Sequence, residues 1–223
     1  MEIQEFDDTR FSPGQGILIV GGTGSGKSFW VKSLIENLDY CMKEIPDSIH
    51  YVYCFWQEHF SKLKDLGVKF YPSWDFEILH NPIDMQGGML IIDDMADKLA
   101  QTDPNYLREL YCKATHHCKL TVITLLHHPF SKTVPHLREI NLNSQITVLL
   151  SSPRSMDAIV CWARQIFQNQ SKKFIQLYKN ICEAKSYGYI LLYISPSCPS
   201  ILRIRSNIFP SEQPTQIYVL NEK

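Results

Sequence analysis

A glycine-rich segment near the start of the 223-residue chain constrains the fold more than any other feature. Residues 21–28 read Gly-Gly-Thr-Gly-Ser-Gly-Lys-Ser and match the phosphate-binding pattern G-x-x-x-x-G-K-[ST] in full. The apolar run 17–20 predicts a buried strand before the loop, and residues 29–36 predict a helix after it. Such a loop presents backbone N–H groups and the positive end of the helix dipole to an anion. The chain is therefore predicted to bind a nucleoside triphosphate.

The individual residues of this loop have separate expected roles. Lys27 is expected to reach the β- and γ-phosphates, and the Ser28 hydroxyl is expected to bind Mg²⁺. The phosphates are expected to lie against Gly21, Gly22, Thr23, Gly24, Ser25, Gly26, Lys27 and Ser28. A Gly/Ser-rich turn with an incidental lysine is the alternative, and the flanking strand and helix patterns argue against it.

Composition and charge limit the classes of protein that fit this chain. With 223 residues, of which 44% are apolar and 20% charged, we expect one α/β domain over residues 1–223 with a sizeable core. The formal net charge is −1, so a nucleic-acid contact must come from a local patch or from several subunits together. Seven cysteines without a CxxC pair predict reduced thiols, and no apolar run approaches the roughly 20 residues of a membrane span. We therefore expect a soluble, intracellular protein with no membrane partner.

Apolar runs alternate with helical segments along the chain. After a polar entry segment at 1–13, strands are expected at 17–20, 49–56, 68–71, 88–94, 120–126 and 146–150. Helices are expected at 29–36, 58–66, 104–116, 155–168 and 171–183, and the C-terminal strands within 187–220 are expected as a β-hairpin of 189–194 and 201–205. Strands that are apolar on both faces and separated by helices predict a central, mostly parallel sheet covered on both sides, which is a three-layer α/β fold.

Two adjacent carboxylates follow the apolar run 88–92. Asp93 is expected to help hold Mg²⁺, because in P-loop NTPases an aspartate at the end of a neighbouring strand does so. Asp94 cannot bind the same ion from the same strand direction, so it is free to orient or deprotonate the attacking water. Motor-type enzymes usually carry glutamate there, one methylene longer than aspartate. The alternative is that both carboxylates cap a helix beginning at Met95 and Ala96.

Histidines and arginines further along supply candidates for the γ-phosphate end of the site. If the strand at 120–126 adjoins the carboxylate strand, His127 lies where it can sense the γ-phosphate or orient water. The alternative for His127 and His128 is a pair of solvated strand-end side chains. Arg138 and Arg154 are the best candidates for an arginine finger supplied by a neighbouring subunit, and surface ion pairs are the alternative for both.

Basic residues near the C-terminus are candidates for contacts with DNA phosphates. They are Lys172, Lys173 and Lys179 on one predicted helix, together with Arg203 and Arg205. A solvated charged face explains them equally well.

Other classes of phosphate-loop protein lack the segments that they need. The chain shows no arginine-rich lid for a kinase, no Asn-Lys-x-Asp for a GTPase and no Leu-Ser-Gly-Gly for an ABC-type ATPase. A monomeric nucleoside or nucleotide kinase and a nucleotide-dependent scaffold that does not hydrolyse ATP stay open as alternatives.

Six segments follow one another in the order of a known family. They are 123–130 (Ile-Thr-Leu-Leu-His-His-Pro-Phe), 138–143 (Arg-Glu-Ile-Asn-Leu-Asn), 148–155 (Val-Leu-Leu-Ser-Ser-Pro-Arg-Ser), 163–167 (Ala-Arg-Gln-Ile-Phe), 187–192 (Tyr-Gly-Tyr-Ile-Leu-Leu) and 203–210 (Arg-Ile-Arg-Ser-Asn-Ile-Phe-Pro). Over residues 14–219 the chain resembles the genome-packaging ATPases of Polinton/Maverick elements and adintoviruses. That group is similar to the poxvirus-type packaging ATPases of the FtsK–HerA superfamily.

The resemblance implies a RecA-like ATPase core that uses ATP and Mg²⁺, assembles into a homo-oligomeric ring and pumps double-stranded DNA into a capsid. Lys27, Ser28, Asp93 and Asp94 match the family's nucleotide and metal residues. A capsid or portal protein is then an expected partner, and assembly sites in a host nucleus or cytoplasm, or the virion, are expected locations.

Two positions depart from the family's pattern. Relatives usually have glutamine where His127 stands and aspartate where Ser155 stands. A histidine can still donate or accept the hydrogen bond of a glutamine, but its protonation would make sensing depend on pH.

Overall fold

The computed structural model describes residues 9–72, 81–152 and 156–220. Nine strands of these ranges form one sheet. They are β1 (Gly16–Val20), β2 (Ile49–Tyr53), β3 (Lys69–Tyr71), β4 (Met89–Asp93), β5 (Thr121–Leu126), β6 (Ile146–Leu150), β7 (Tyr189–Tyr193), β8 (Ile204–Ser206) and β9 (Gln216–Tyr218). Their order across the sheet is β3-β2-β4-β5-β1-β6-β7-β8-β9. The strand that precedes the phosphate loop therefore lies in the middle of the sheet.

The sheet changes direction once. All pairs from β3 to β6 are parallel, whereas β7 pairs antiparallel with β6, β8 with β7, and β9 with β8. The predicted mostly parallel sheet and the predicted C-terminal hairpin, β7 and β8, are confirmed. The third antiparallel strand, β9, was not predicted.

Helices cover both faces of this sheet. They are α1 (Lys27–Glu36), α2 (Leu38–Cys41), α3 (Phe60–Asp65), α4 (Ala96–Thr102), α5 (Tyr106–Glu109), α6 (Thr115–His117), α7 (Leu137–Asn143), α8 (Met156–Phe167) and α9 (Ser171–Ala184). Side chains of β1 alternate between two buried clusters. Leu18 and Val20 pack with α4, α5, α8 and α9, whereas Ile17 and Ile19 pack with α1 and α3. This double burial explains why the central strands are apolar at nearly every position.

The helix predicted at 104–116 is interrupted rather than continuous. A π-helical turn, Leu110–Ala114, separates α5 from α6. Tyr111 in this turn is fully buried, and its hydroxyl donates to the Ile17 carbonyl at 2.9 Å and lies 3.0 Å from Thr124 Oγ1. The wider turn thus carries a polar contact that ties the helix to β1 and β5.

One predicted DNA contact is wrong. Arg205 is only 2% exposed, and its guanidinium donates to the Leu202 carbonyl at 2.6 Å and to the Thr9 carbonyl at 2.7 Å. It also lies over the ring of Tyr193. Because these groups occupy the guanidinium inside the fold, Arg205 cannot reach a DNA phosphate.

Within the three described ranges, no helix has the length and apolar character needed to cross a bilayer.

Candidate functional site

The order of strands determines which side chains meet at the phosphate loop. β5 pairs with β1 on one side and with β4 on the other. The carboxyl ends of parallel strands meet at one edge of a sheet, so the residue after β5 lies between the phosphate loop and the two carboxylates. The adjacency on which the prediction for His127 depended is therefore present.

The backbone of the loop requires glycine at two positions. Gly24 and Gly26 have φ values of 74° and 100°, which residues that carry a side chain rarely adopt. A Cβ at Gly26 would also lie 2.8 Å from Cδ1 of Tyr187. The α1 helix begins directly after Gly26, at Lys27, and its first N–H groups face the loop. This glycine-rich loop before a helix N-terminus fits a chain of phosphates.

Lys27 lies under the loop rather than in solvent. It is 6% exposed, and its ammonium donates to the carbonyls of Gly21 at 3.0 Å and Gly22 at 3.3 Å. The third partner is Nδ1 of His127 at 3.1 Å. Burial lowers the pKa of Lys27, while the charges of Asp94 and Asp93 oppose that shift.

His127 links the lysine to a carboxylate. An ammonium has only donors, so Nδ1 of His127 must accept from Lys27, and the ring proton then lies on Nε2. Nε2 is 3.0 Å from Oδ1 of Asp94 and donates to it. Neutral His127 thus forms a continuous line from Lys27 to Asp94.

Asp94 adopts an uncommon backbone conformation. Its φ of 53° lies in the left-handed region, which aspartate tolerates better than most residues. The residue that directly precedes α4 is Met95 and not an aspartate. Asp94 contacts His127, and Asp93 accepts hydrogen bonds from other elements, so these contacts favour a role at the phosphate loop over the capping alternative.

Asp93 is buried, 4% exposed, and has two hydroxyl donors. Its Oδ2 accepts from Ser28 Oγ at 2.9 Å and from the Tyr51 hydroxyl at 2.7 Å. Burial raises the pKa of Asp93, and the two hydrogen bonds oppose this shift. Mg²⁺ is usually held by one or two carboxylates together with substrate phosphates, so the paired oxygens of Ser28 and Asp93 fit that ion.

Tyr51 was not identified from the sequence. It lies in β2, beside β4, and its fully buried ring packs on Phe60 and Phe70. The one available signal was a hydroxyl in a buried strand, but local patterns do not tell which strand adjoins β4.

Two cavities meet at His127 and His128. The larger, about 760 Å³, extends from the phosphate loop past Ser151 and Ser152 to residues 185–187. The smaller, about 250 Å³, lies on the side of Asp94 and Asp97. His128 is thus at the site as well, and its Nδ1 accepts from the Phe130 N–H at 3.1 Å.

The structure describes one of the two arginine candidates, Arg138, and places it in a different cleft. Arg138 is exposed on α7 and lines a separate cleft of about 520 Å³ with Trp162 and Gln165. Among the described residues, none that lines this cleft also lines the phosphate cavity. Arg154 lies outside the described residues.

Comparison with solved structures identifies a similar fold. The genome packaging NTPase B204 from Sulfolobus turreted icosahedral virus 2, solved in complex with ATP-gammaS, is 14% identical, with 94% of this chain and 99% of that chain covered and a TM-score of 0.54. At this identity the likeness shows the fold alone. The chain has the α/β fold of P-loop NTPases.

Two further structures are more distantly similar. They are the N-terminal domain of zonular occludens toxin from Neisseria meningitidis (14% identity, 94% and 96% covered, TM-score 0.43) and the KaiC-like protein PH0186 from Pyrococcus horikoshii OT3 (13% identity, 61% and 71% covered, TM-score 0.39). No protein-family model and no curated protein matches the chain.

Replacing Tyr51 by phenylalanine tests the support of Asp93. Tyr51→Phe keeps the ring but removes a donor from a buried carboxylate, so we expect the free energy of unfolding to fall by about 1–3 kcal/mol. Urea denaturation measures this change. Tyr53→Phe, on the same strand and in the same aromatic cluster, is the matched control and should cost less than about 0.5 kcal/mol. Equal effects in both variants would contradict the assigned role of Tyr51.

Proposed function

We propose that this chain is an ATP-hydrolysing translocase that moves double-stranded DNA into a capsid as part of a homo-oligomeric ring. The observation that carries the proposal is the line Lys27–His127–Asp94 beside the Ser28–Asp93 pair, at the mouth of the phosphate loop. Two facts support it. The fold is similar to that of B204, a genome packaging NTPase, and the segments at 123–130 and 203–210 resemble packaging ATPases.

The residues of the loop bind ATP through its phosphates. The N–H groups of residues 21–28 surround them, and Lys27 exchanges its bonds to the Gly21 and Gly22 carbonyls for bonds to the β- and γ-phosphates. Ser28 and Asp93 would hold Mg²⁺, and the bound ion would supply positive charge that offsets the negative charge of the phosphates.

Asp94 acts on the attacking water. Its carboxylate orients the water and accepts its proton, while the water oxygen forms a bond to the γ-phosphorus. The bond between that phosphorus and the β–γ bridging oxygen breaks, and its electron pair stays with ADP. The products are ADP and inorganic phosphate.

His127 couples the binding of the phosphates by Lys27 to the activation of water by Asp94. Its neutral ring contacts Lys27 through Nδ1 and Asp94 through Nε2, so a shift of the lysine toward a γ-phosphate changes the position of the carboxylate. This is the role of a γ-phosphate sensor.

Assembly completes the site. Arg138 lies on the surface and outside its own phosphate cavity, so it is available to the site of a neighbouring subunit, and Arg154 is the second candidate. Contacts with DNA are expected to be with phosphates, hence insensitive to sequence and sensitive to salt. Lys172 and Lys179 are exposed on α9 and are candidates for them. A capsid or portal protein is the proposed further partner.

Long double-stranded DNA is expected to accelerate ATP hydrolysis several-fold. Lys27→Ala should lose ATP binding, whereas Asp94→Asn should bind ATP and hydrolyse it about 10²-fold more slowly or worse, because the proton acceptor is gone. Phosphate release and ATP titration measure the two effects. Asp97→Asn is the control. The Asp97 carboxylate accepts from Thr133 at 2.7 Å and has no proposed part in activating water, so this variant should hydrolyse ATP like the unmodified chain.

Different outcomes of the same assays would favour other functions. Acceleration by a nucleoside instead of DNA would favour a kinase. ATP binding and assembly without turnover would favour a scaffold. A persistent monomer with ATP and DNA present would contradict a ring motor.

Substitutions at His127 test the coupling role. In His127→Gln the amide oxygen can accept from Lys27 and the amide nitrogen can donate to Asp94, so turnover should stay within about tenfold of the unmodified chain. His127→Ala removes both bonds and should lower turnover by about 10²-fold, with ATP affinity changed much less. His128→Ala provides the comparison for the neighbouring ring. Equal turnover in the alanine and glutamine variants would contradict the role of this line.

Mixed assemblies test the arginine finger. Arg138→Ala and Lys27→Ala should each be inactive alone, but a mixture should recover part of the activity, since one subunit then supplies the arginine and its neighbour the intact loop. The same experiment applies to Arg154→Ala. ATPase activity as a function of the mixing ratio is the measurement, and absence of recovery for both arginines would contradict a finger supplied by a neighbour.

A further inference from the structure

The order of strands indicates which end of the large cavity holds the γ-phosphate and which end holds the rest of a nucleotide. Asp94 and His127 follow β4 and β5, on one side of the phosphate loop, and define the γ-phosphate end. A nucleotide held by its phosphates must therefore extend the other way, past β1 toward β6 and β7. That side of the cavity is lined by Ser151 and Ser152 after β6 and by residues 185–187 before β7. From β5 to β7 the distance is three strand spacings, about 14 Å.

An aromatic ring lies at this far end. Tyr187 is 57% exposed and lines the cavity. Its side chain packs against Gly26, the residue before α1, and its ring stacks on Phe29 with centroids 6.2 Å apart and planes at 28°. An aromatic ring that is more than half exposed, in the cavity next to the phosphate loop, is a surface on which a flat heterocycle can stack.

The backbone holds Tyr187 in this position at some cost. Its φ of 60° is uncommon for a residue with a side chain. A Cβ on the next residue, Gly188, would collide with the Ile181 carbonyl, so the chain turns tightly against the end of α9. Lys185, at the other end of the turn, donates to Asn207 at 2.7 Å and to Glu212 at 3.0 Å. Strained residues that are fixed by their surroundings are concentrated at ligand sites.

We propose that Tyr187 forms the nucleobase subsite and stacks on the base of the nucleoside triphosphate; this rests on the proposed binding of ATP by the phosphate loop. The ring supplies affinity that is additional to the phosphates. The ammonium of Lys185 is engaged by Asn207 and Glu212, so the base is held by its face and not by a charged contact from Lys185.

Calorimetric titration with ATP and with inorganic tripolyphosphate separates the two parts of the site. Tyr187→Ala should weaken ATP binding about tenfold or more, the effect of losing a base–aromatic stack, and leave tripolyphosphate binding within about twofold. Tyr187→Phe should bind both ligands like the unmodified chain. Tyr187→Asn, which tolerates a positive φ, should behave like the alanine variant. Tyr40→Ala, an exposed tyrosine on α2 outside this cavity, is the matched control.

Each remaining outcome contradicts one specific statement. Equal losses for ATP and tripolyphosphate would show that Tyr187 only supports the loop through Gly26. Unchanged ATP affinity in the alanine and asparagine variants would place the base elsewhere. If the unmodified chain binds neither ligand, the proposed function and the subsite are both overturned. If it binds both ligands but the Tyr187 variants bind ATP as tightly as it does, only the subsite is overturned.

Discussion

The pairing of β5 with both β1 and β4 is the constraint on which the candidate site depends. If β4 lay directly beside β1, no strand end would separate the phosphate loop from the carboxylates. The intervening strand places His127 between Lys27 and Asp94 and makes one hydrogen-bonded line of three elements. The pairing in turn depends on burial of these strands on both faces, since only apolar strands can occupy the middle of a covered sheet.

Much of this arrangement is visible in the sequence, because it depends on local patterns. The phosphate loop, the strands around it and the paired carboxylates have short signatures, and each was found in the expected element. Several features that depend on neighbours in space were not predicted. Tyr51 donates to Asp93 only because β2 adjoins β4. Arg205 is basic in a C-terminal segment, yet its guanidinium is buried, which no periodicity reveals. The short strand β9 and helix α7 lack a clear pattern.

The two carboxylates occupy contrasting environments although they are adjacent in the chain. Asp93 is enclosed and accepts from two hydroxyl groups, whereas Asp94 is half exposed and contacts a histidine. A buried, hydrogen-bonded carboxylate is suited to a fixed ligand role, and an exposed one can exchange a proton with water. This contrast between the two side chains follows from the end of β4, where the chain leaves the sheet between the two residues.

The left-handed conformation at position 94 has a consequence for how the site could vary. The turn of the main chain carries the Asp94 carboxylate away from the direction of the strand and into contact with His127. A β-branched or bulky residue would be strained in this backbone conformation. The residue type at position 94 and the backbone conformation there are therefore coupled, because each restricts which forms of the other are possible.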